Sequence, residues 1–246
     1  MNFILGVNID HIATLRNARN EGHPDLITMA LLAQESGSHQ IVAHLREDRR
    51  HIKDKDLYDL KTHLKIPLNM EMAITDEMLE IALKVKPYTV CLVPEKRQEL
   101  TTEGGLDVVK HYNTLENKIR QLQQANIKVS LFIDANLEQI QACTNLKVNA
   151  VEINTGVYCN LTEENKTFEI NKIKEISAYG VANNLKIHAG HGLTTANIGE
   201  IAVIKDIIEF NIGYFIISRA LSIGLKAAIQ EILQAIQIQR QIYDLK

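Results

Sequence analysis

Titratable and amide side chains recur in this chain at the ends of short apolar runs, so a fold that gathers those ends would assemble an acid/base site. Asn8, Asp10 and His11 close the first run, and His44 and Arg46 the second, with Glu47, Asp48, Arg49, Arg50 and His51 just beyond. Asn69 and Glu71 lie inside the third, Pro67-Leu68-Asn69-Met70-Glu71-Met72. Pro94, Glu95 and Lys96 follow the fourth, then Thr101 and Thr102. Asp134 ends the fifth, and Glu152 and Asn154 mark the sixth. Gly190-His191-Gly192 follows the seventh, and Asn211 and Gly213 the eighth. A lone histidine near a strand is more often satisfied by a backbone carbonyl than reactive. A lone glutamate in an apolar strand is harder to dismiss, because burying its charge is costly unless it is paired. Alternation puts Asn69 and Glu71 on one strand face. Facing inward, Glu71 is a carboxylate whose pKa burial can tune for proton transfer. A structural ion pair with a neighbouring Arg or Lys would account for it equally well.

Two places suit small anions. Five of the nine arginines, Arg16, Arg19, Arg46, Arg49 and Arg50, fall in the first 50 residues. Arginine captures phosphate or carboxylate in a bidentate fork, although clustered charges are by default a solvated surface patch. The glycine turns 190–192 and 213 offer backbone N–H groups ahead of a helix, with Thr194 a candidate cap. No HExxH, EF-hand, Cys/His cluster or nucleophile elbow occurs, so neither a metal nor another cofactor is expected.

The elements that must position these groups alternate. Apolar runs at 3–9, 40–45, 67–72, 88–93, 127–133, 150–153, 185–189 and 207–212 read as strands buried on both faces. Helical periodicity falls between them, at 26–33, 76–83, 106–122, 137–143 and 168–178. A long last helix puts Leu225, Ile229, Ile232, Leu233 and Ile236 on one face. Thr75, Asn136 (with Gln139 three residues on) and Thr162 are placed as helix caps, and Pro67 stands at a strand entrance. Eight strand–helix units predict an α/β fold, a closed (β/α)8 TIM barrel with extra helices, filling residues 1–246 as one domain. The segment 104–126 has room for an additional helix. An open doubly wound sheet is the alternative, weakened by the lack of a GxGxxG or P-loop after the first run.

Composition narrows the partners. The formal charge is −3, there is no Trp, and aromatic residues make up 5%, which disfavours nucleic-acid and anionic-membrane binding. No apolar run reaches about 18 residues, and the N-terminus lacks signal-peptide character. The widely spaced Cys91, Cys143 and Cys159 read as reduced thiols, so a cytoplasmic protein is expected.

Longer motifs carry a resemblance that spans nearly the whole chain in order. The run from Gly6 to Arg19 (GVNIDHIATLRNAR) resembles the opening of the pyridoxine 5′-phosphate synthase family. So do His44-Leu45-Arg46-Glu47-Asp48-Arg49-Arg50-His51, Asn69-Met70-Glu71-Met72, the run from Cys91 to Arg97 and the run from Thr101 to Val108. Ala189-Gly190-His191-Gly192-Leu193 and Glu209-Phe210-Asn211-Ile212-Gly213 complete the match.

The resemblance implies a barrel enzyme, typically a homo-octamer. It would condense 3-amino-2-oxopropyl phosphate with 1-deoxy-D-xylulose 5-phosphate to pyridoxine 5′-phosphate, phosphate and water. Because a substrate supplies the amine, no enzyme lysine need form a Schiff base. Position by position, it implies acid/base roles for His44, Glu71 and His191. It implies contacts from Asp10, His11, Arg46, His51 and Thr101 to the deoxyxylulose phosphate. Asn8, Arg19, Gly192, Gly213 and Tyr214 would contact the aminoketone phosphate. The sequence departs from the family at Tyr214 and at Asn154, where the family usually has histidine. A different phosphosugar-converting barrel, or a non-catalytic phosphate-binding scaffold, is the alternative.

Overall fold

In the computed structural model, which describes residues 3–19, 21–95 and 104–245, eight parallel strands pair in chain order and close into a barrel. The first half of the chain runs β1 (Ile4–Asn8), α1 (Asp10–Arg19), α2 (Leu26–Glu35), β2 (Gln40–His44), α3 (Asp54–His63), β3 (Leu68–Met72), α4 (Asp76–Val85) and β4 (Thr89–Leu92). Then come α5 (Tyr112–Gln124), β5 (Lys128–Ile133), α6 (Leu137–Asn145), β6 (Ala150–Asn154), α7 (Gly156–Asn160) and α8 (Glu163–Ala182). The chain closes with β7 (Lys186–Gly190), α9 (Ile198–Ala202), β8 (Ile207–Ile212), α10 (Tyr214–Ile223) and α11 (Leu225–Asp244). This is the expected (β/α)8 barrel, and each strand lies within one residue of its expected span.

The extra helices fall elsewhere than expected. They follow β1, β6 and β8, where two helices stand in place of one. The stretch 106–122 is not one helix. Leu106 N donates to Phe132 O (2.7 Å), Lys110 N donates to the Asp107 carboxylate (3.0 Å), and α5 starts only at Tyr112. Thr75 and Asn136 cap as expected, accepting from Met78 N (3.4 Å) and Gln139 N (3.2 Å). The Gln139 side chain instead turns to Val108 N (2.7 Å). Thr162 precedes α8 without a capping side-chain bond, and Thr194 does not cap, because α9 begins at Ile198 behind Asn197.

A second correction concerns the strand faces. The outer faces (Leu5, Val7, Ile41, Met70, Leu131, Ile153 and their neighbours) pack with the helices into one apolar core. The lumen is largely polar instead of filled with the branched aliphatic side chains usual for such barrels. Buried Gln40, Asn69, Ser130, Glu152, His188, Glu209 and Asn211 occupy it, with one small apolar cluster of Cys91, Val93 and Phe132. These groups are tolerated because most bond one another. Gln40 Nε2 donates to Glu209 Oε1 (2.6 Å), Asn211 Nδ2 donates to Glu152 Oε2 (2.7 Å), and His188 Nδ1 lies 3.0 Å from Glu209 Oε1.

The last helix returns to the start of the barrel. Its face of Leu225, Ile229, Ile232, Leu233 and Ile236 is buried as the periodicity requires. Arg240, also buried, sits over the Phe3 and Phe210 rings (5.5 and 5.6 Å) and donates to the carbonyls of Ala202 (3.0 Å) and Ile207. Arg240→Ala strips buried carbonyls of a charged donor and leaves a void. We expect a loss of about 2 kcal/mol in urea unfolding, and an unchanged midpoint would remove this residue from the stability account.

Candidate active site

The C-terminal ends of the strands surround a cavity of about 620 Å³. Every site residue expected from the sequence borders it except Arg19 and Thr101. Thr101 lies outside the described residues. Arg19 ends α1 with its side chain 81% exposed and paired to Glu21 (3.1 Å).

The β1–β3 side is tied together by hydrogen bonds. Asn8 and Asp10 lock each other: Asp10 N donates to Asn8 Oδ1 (2.9 Å) and Asn8 Nδ2 to Asp10 Oδ2 (2.9 Å). An acidic residue in the first turn also suits the helix dipole, so α1 starts at Asp10 with no intervening loop. Asp10 Oδ1 accepts from His44 N (2.8 Å), which fixes the end of β2. His44 and Glu71 are register partners on adjacent strands, and His44 Nδ1 stands 3.7 Å from Glu71 Oε2. Asn8 Nδ2 approaches the same oxygen at 3.5 Å. On its other edge, His44 Nε2 meets Glu95 Oε1 at 2.9 Å.

The arginine cluster divides. Arg16 forks onto Asp56 (2.7 and 2.9 Å), and Arg49 pairs with Asp54 (3.1 Å) and Glu77 (2.5 Å), so both are structural. Arg46 and Arg50 border the cavity. Arg46 is buried, with Nε 4.0 Å from carboxylate oxygens of both Asp48 and Glu95, and Arg50 is paired with Asp48 (2.6 Å). His51 Nδ1 accepts from Ile52 N (3.0 Å), which leaves the proton on Nε2. Burial pushes the His51 pKa down, against the charge of Asp10. Burial likewise lowers that of His11.

The glycine turns form the opposite rim. His191 and Gly192 both adopt positive φ (77° and 78°), an uncommon conformation for histidine that often marks functional backbone. The turn is tied down by Thr155, whose Oγ1 donates to the carbonyls of Gly190 (2.8 Å) and His191 (2.7 Å). Asn154 serves this scaffold, donating to Asp134 Oδ1 (2.8 Å) and accepting from Gly156 N (2.9 Å), and it does not border the cavity. Gly213 immediately precedes α10, whose first amides lack intrahelical acceptors. A Cβ at Gly213 would come within 2.9 Å of the Asn8 Cβ, so the close approach of β8 to β1 needs glycine there. Tyr214, at the first turn of α10, is 70% exposed and sits edge-on to His11, with ring centroids 5.1 Å apart.

Buried carboxyl groups dominate the electrostatics. Burial, reinforced by the charges of Glu152 and Asp10, pushes the Glu71 pKa well above its ordinary value. Burial also raises Glu152, to about 7, with the Asn211 bond and the His188 charge pulling the other way. Glu209 behaves oppositely: burial would raise it, but His188 and the bonds from Asn211 and Gln40 hold it low. Glu152, Asn211 and Arg50, noted in the sequence at strand ends or in the arginine cluster but given no individual role, also border the cavity. The rule that flagged Glu71, a lone glutamate among apolar strand residues, applies equally to Ala150-Val151-Glu152-Ile153-Asn154.

Among the described residues, Asp10, His44 and Glu71 place one potential ligand atom each within 4.8 Å of one another. Both Asp10 oxygens already accept hydrogen bonds, and Glu71 is biased toward its protonated form. The trio therefore suits proton exchange better than cation binding.

A closed barrel whose strand ends bring carboxyl, imidazole and guanidinium groups to one mouth defines the class of (β/α)8 barrel enzymes. Comparison with known proteins sharpens this. The family model described as pyridoxal phosphate biosynthesis protein PdxJ matches residues 5–238. A pyridoxine 5′-phosphate synthase of Sulfurihydrogenibium sp. is 52% identical over 94% of this chain and 97% of its own length. That of Blochmanniella pennsylvanica is 48% identical, over 98% and 99%. The chain belongs to the PdxJ family and is an enzyme of vitamin B6 biosynthesis. This sets aside the non-catalytic scaffold. Among solved structures, phosphoribosyl anthranilate isomerase from Thermotoga maritima aligns with a TM-score of 0.61 at 13% identity, over 96% of this chain and 98% of that one. The tryptophan synthase A-subunit from Pyrococcus furiosus also reaches 0.61, at 12% identity over 95% and 98%. These two share the fold alone. No helix among the described residues is long and apolar enough to cross a membrane.

Proposed function

We propose that the chain is a pyridoxine 5′-phosphate synthase, condensing 3-amino-2-oxopropyl phosphate with 1-deoxy-D-xylulose 5-phosphate and releasing phosphate and water. The observation that carries this reading is the convergence of His44, Glu71 and His191, from three different strands, on one cavity between two anion-suited rims. Arg46 and His51, with Asp10 and His11, hold the deoxyxylulose phosphate. Asn8, Gly192, Gly213 and the amide end of α10 hold the aminoketone phosphate. Holding both reactants supplies much of the rate by proximity. The substrate amine attacks the ketone, and dehydration gives an imine. Phosphate leaves, water adds, and an aldol-type closure followed by loss of two waters gives the aromatic ring, so one phosphate and two waters are released overall. Glu71 and His44, side by side at 3.7 Å, move protons to and from the reacting groups during imine formation and closure, and His191 acts as acid toward a leaving or carbonyl oxygen. Thr101 and Arg19 complete the substrate contacts by family resemblance. By resemblance the chain forms a homo-octamer, whose mass sedimentation would give.

The test mixes purified protein with both substrates and follows pyridoxine 5′-phosphate by absorbance and mass. Product is expected only with both present. Its absence under conditions where the Sulfurihydrogenibium relative forms it would overturn the reading.

A further inference from the structure

We propose that Glu95 is a positioning residue that fixes the tautomer and orientation of His44, so that Nδ1 is the proton-accepting atom turned toward Glu71. This rests on the functional reading above and deepens it. Glu95 follows β4, yet its side chain is only 5% exposed, and that of His44 is 6% exposed. One carboxylate oxygen meets His44 Nε2 at 2.9 Å. The other accepts from Glu47 N (3.1 Å) and lies 4.0 Å from Arg46 Nε. A single carboxylate thus holds both the imidazole and the loop that carries Arg46.

The charged and titratable groups around His44 come from several elements. Asp10 of α1 binds its backbone N–H, Glu71 of β3 faces Nδ1, and the His51 ring centroid lies 6.0 Å away. Glu95 alone is within hydrogen-bond distance of the ring at Nε2 among the described contacts. Burial would raise the Glu95 carboxyl, but the His44 bond and charge, the Glu47 amide and Arg46 outweigh burial and hold it low. An ionised carboxylate only accepts, so Nε2 carries the hydrogen, and whenever the ring is neutral its lone pair lies on Nδ1. At 3.7 Å, Nδ1 and Glu71 Oε2 are too far apart for a hydrogen bond, which leaves that lone pair available to a reacting group. The logic is that of a catalytic triad, in which a carboxylate selects which imidazole nitrogen does the chemistry.

The experiment compares the unsubstituted protein with Glu95→Gln and Glu95→Asp. Nitrogen-15 spectra of histidine-labelled, substrate-free protein report the His44 tautomer, with its signals assigned by their loss in His44→Asn. In Glu95→Gln the amide can donate to Nε2, so the spectrum is expected to switch to the Nδ1–H form. With it, kcat is expected to fall about 100-fold, while KM for each substrate moves by less than about threefold. Glu95→Asp keeps an ionised acceptor, so it should retain the Nε2–H form and recover at least about a tenth of kcat. A tautomer unchanged in Glu95→Gln overturns the proposal, as does a kcat within about threefold of the unsubstituted protein. If the unsubstituted protein makes no product, the functional reading falls. The tautomer comparison, made without substrate, then still decides whether Glu95 holds His44.

Discussion

Glu71→Gln is expected to lower kcat for pyridoxine 5′-phosphate formation by about 10³-fold, with little change in KM and no loss of thermal stability. Glutamine preserves the shape of the side chain and an acceptor for Asn8 Nδ2 (3.5 Å in the native protein), so the local packing survives. It cannot give up or take a proton. The position makes that loss costly. Glu71 stands on the lumen face of β3 beside His44, where burial and the nearby charges of Glu152 and Asp10 push its pKa well above the ordinary value. A carboxyl group raised in this way still holds a proton to give above the usual carboxylate range and can take one back, which is what alternating imine formation, elimination and ring closure require. The native rate is therefore expected to bend at a pH above the usual carboxylate range, and the bend to vanish in the variant. Single-turnover product formation measures both. Turnover within about threefold of native, in a preparation free of contaminating enzyme, would remove Glu71 from the proton-transfer set.

What could be read from the sequence depended on how local the physics was. Eight strands were legible because an apolar run between turn signals is a local pattern, and Glu71 because a charge inside such a run breaks it. Glu152 and Glu209 break their runs in the same way. Their joint meaning, a polar lumen, appears only when Gln40 meets Glu209 across 169 residues of chain. The arginines show the opposite case. Arg16 and Arg46 are equivalent as sequence, and Asp56, 40 residues on, claims one for structure, while burial beside Asp48 and Glu95 places the other at the cavity. The Glu95–His44 contact spans 51 residues, so nothing near either residue announces it. The start of α1 at Asp10 did have a local signal, the Asn8–Asp10 side-chain exchange ahead of an acidic first turn.

The polar lumen should also carry a measurable stability cost that one substitution relieves. Glu152 is buried at the foot of the cavity, and burial, aided by the charge of Glu209, raises its pKa to about 7 against the Asn211 bond and the His188 charge. In the unfolded chain it titrates near the ordinary glutamate value. Between those two values the native state therefore binds more protons than the unfolded one. Stability must fall as pH rises through that window, by roughly 3 kcal/mol in all. Glu152→Gln removes the titration while keeping an oxygen to accept from Asn211 Nδ2 (2.7 Å in the native protein). The variant is expected to match the native protein near pH 4, below that window, and at pH 8 to be more stable by roughly 3 kcal/mol in urea unfolding. A variant no more stable than native at pH 8, or one with the native pH dependence, would show that Glu152 is not the titrating group. The same change withdraws a negative charge that raises the Glu71 pKa, so the bend in the rate profile should move to lower pH while the protein grows more stable. Stability and activity at alkaline pH would then separate at a single buried carboxylate. This is the behaviour expected where a fold keeps costly charge in its lumen to tune the group beside it.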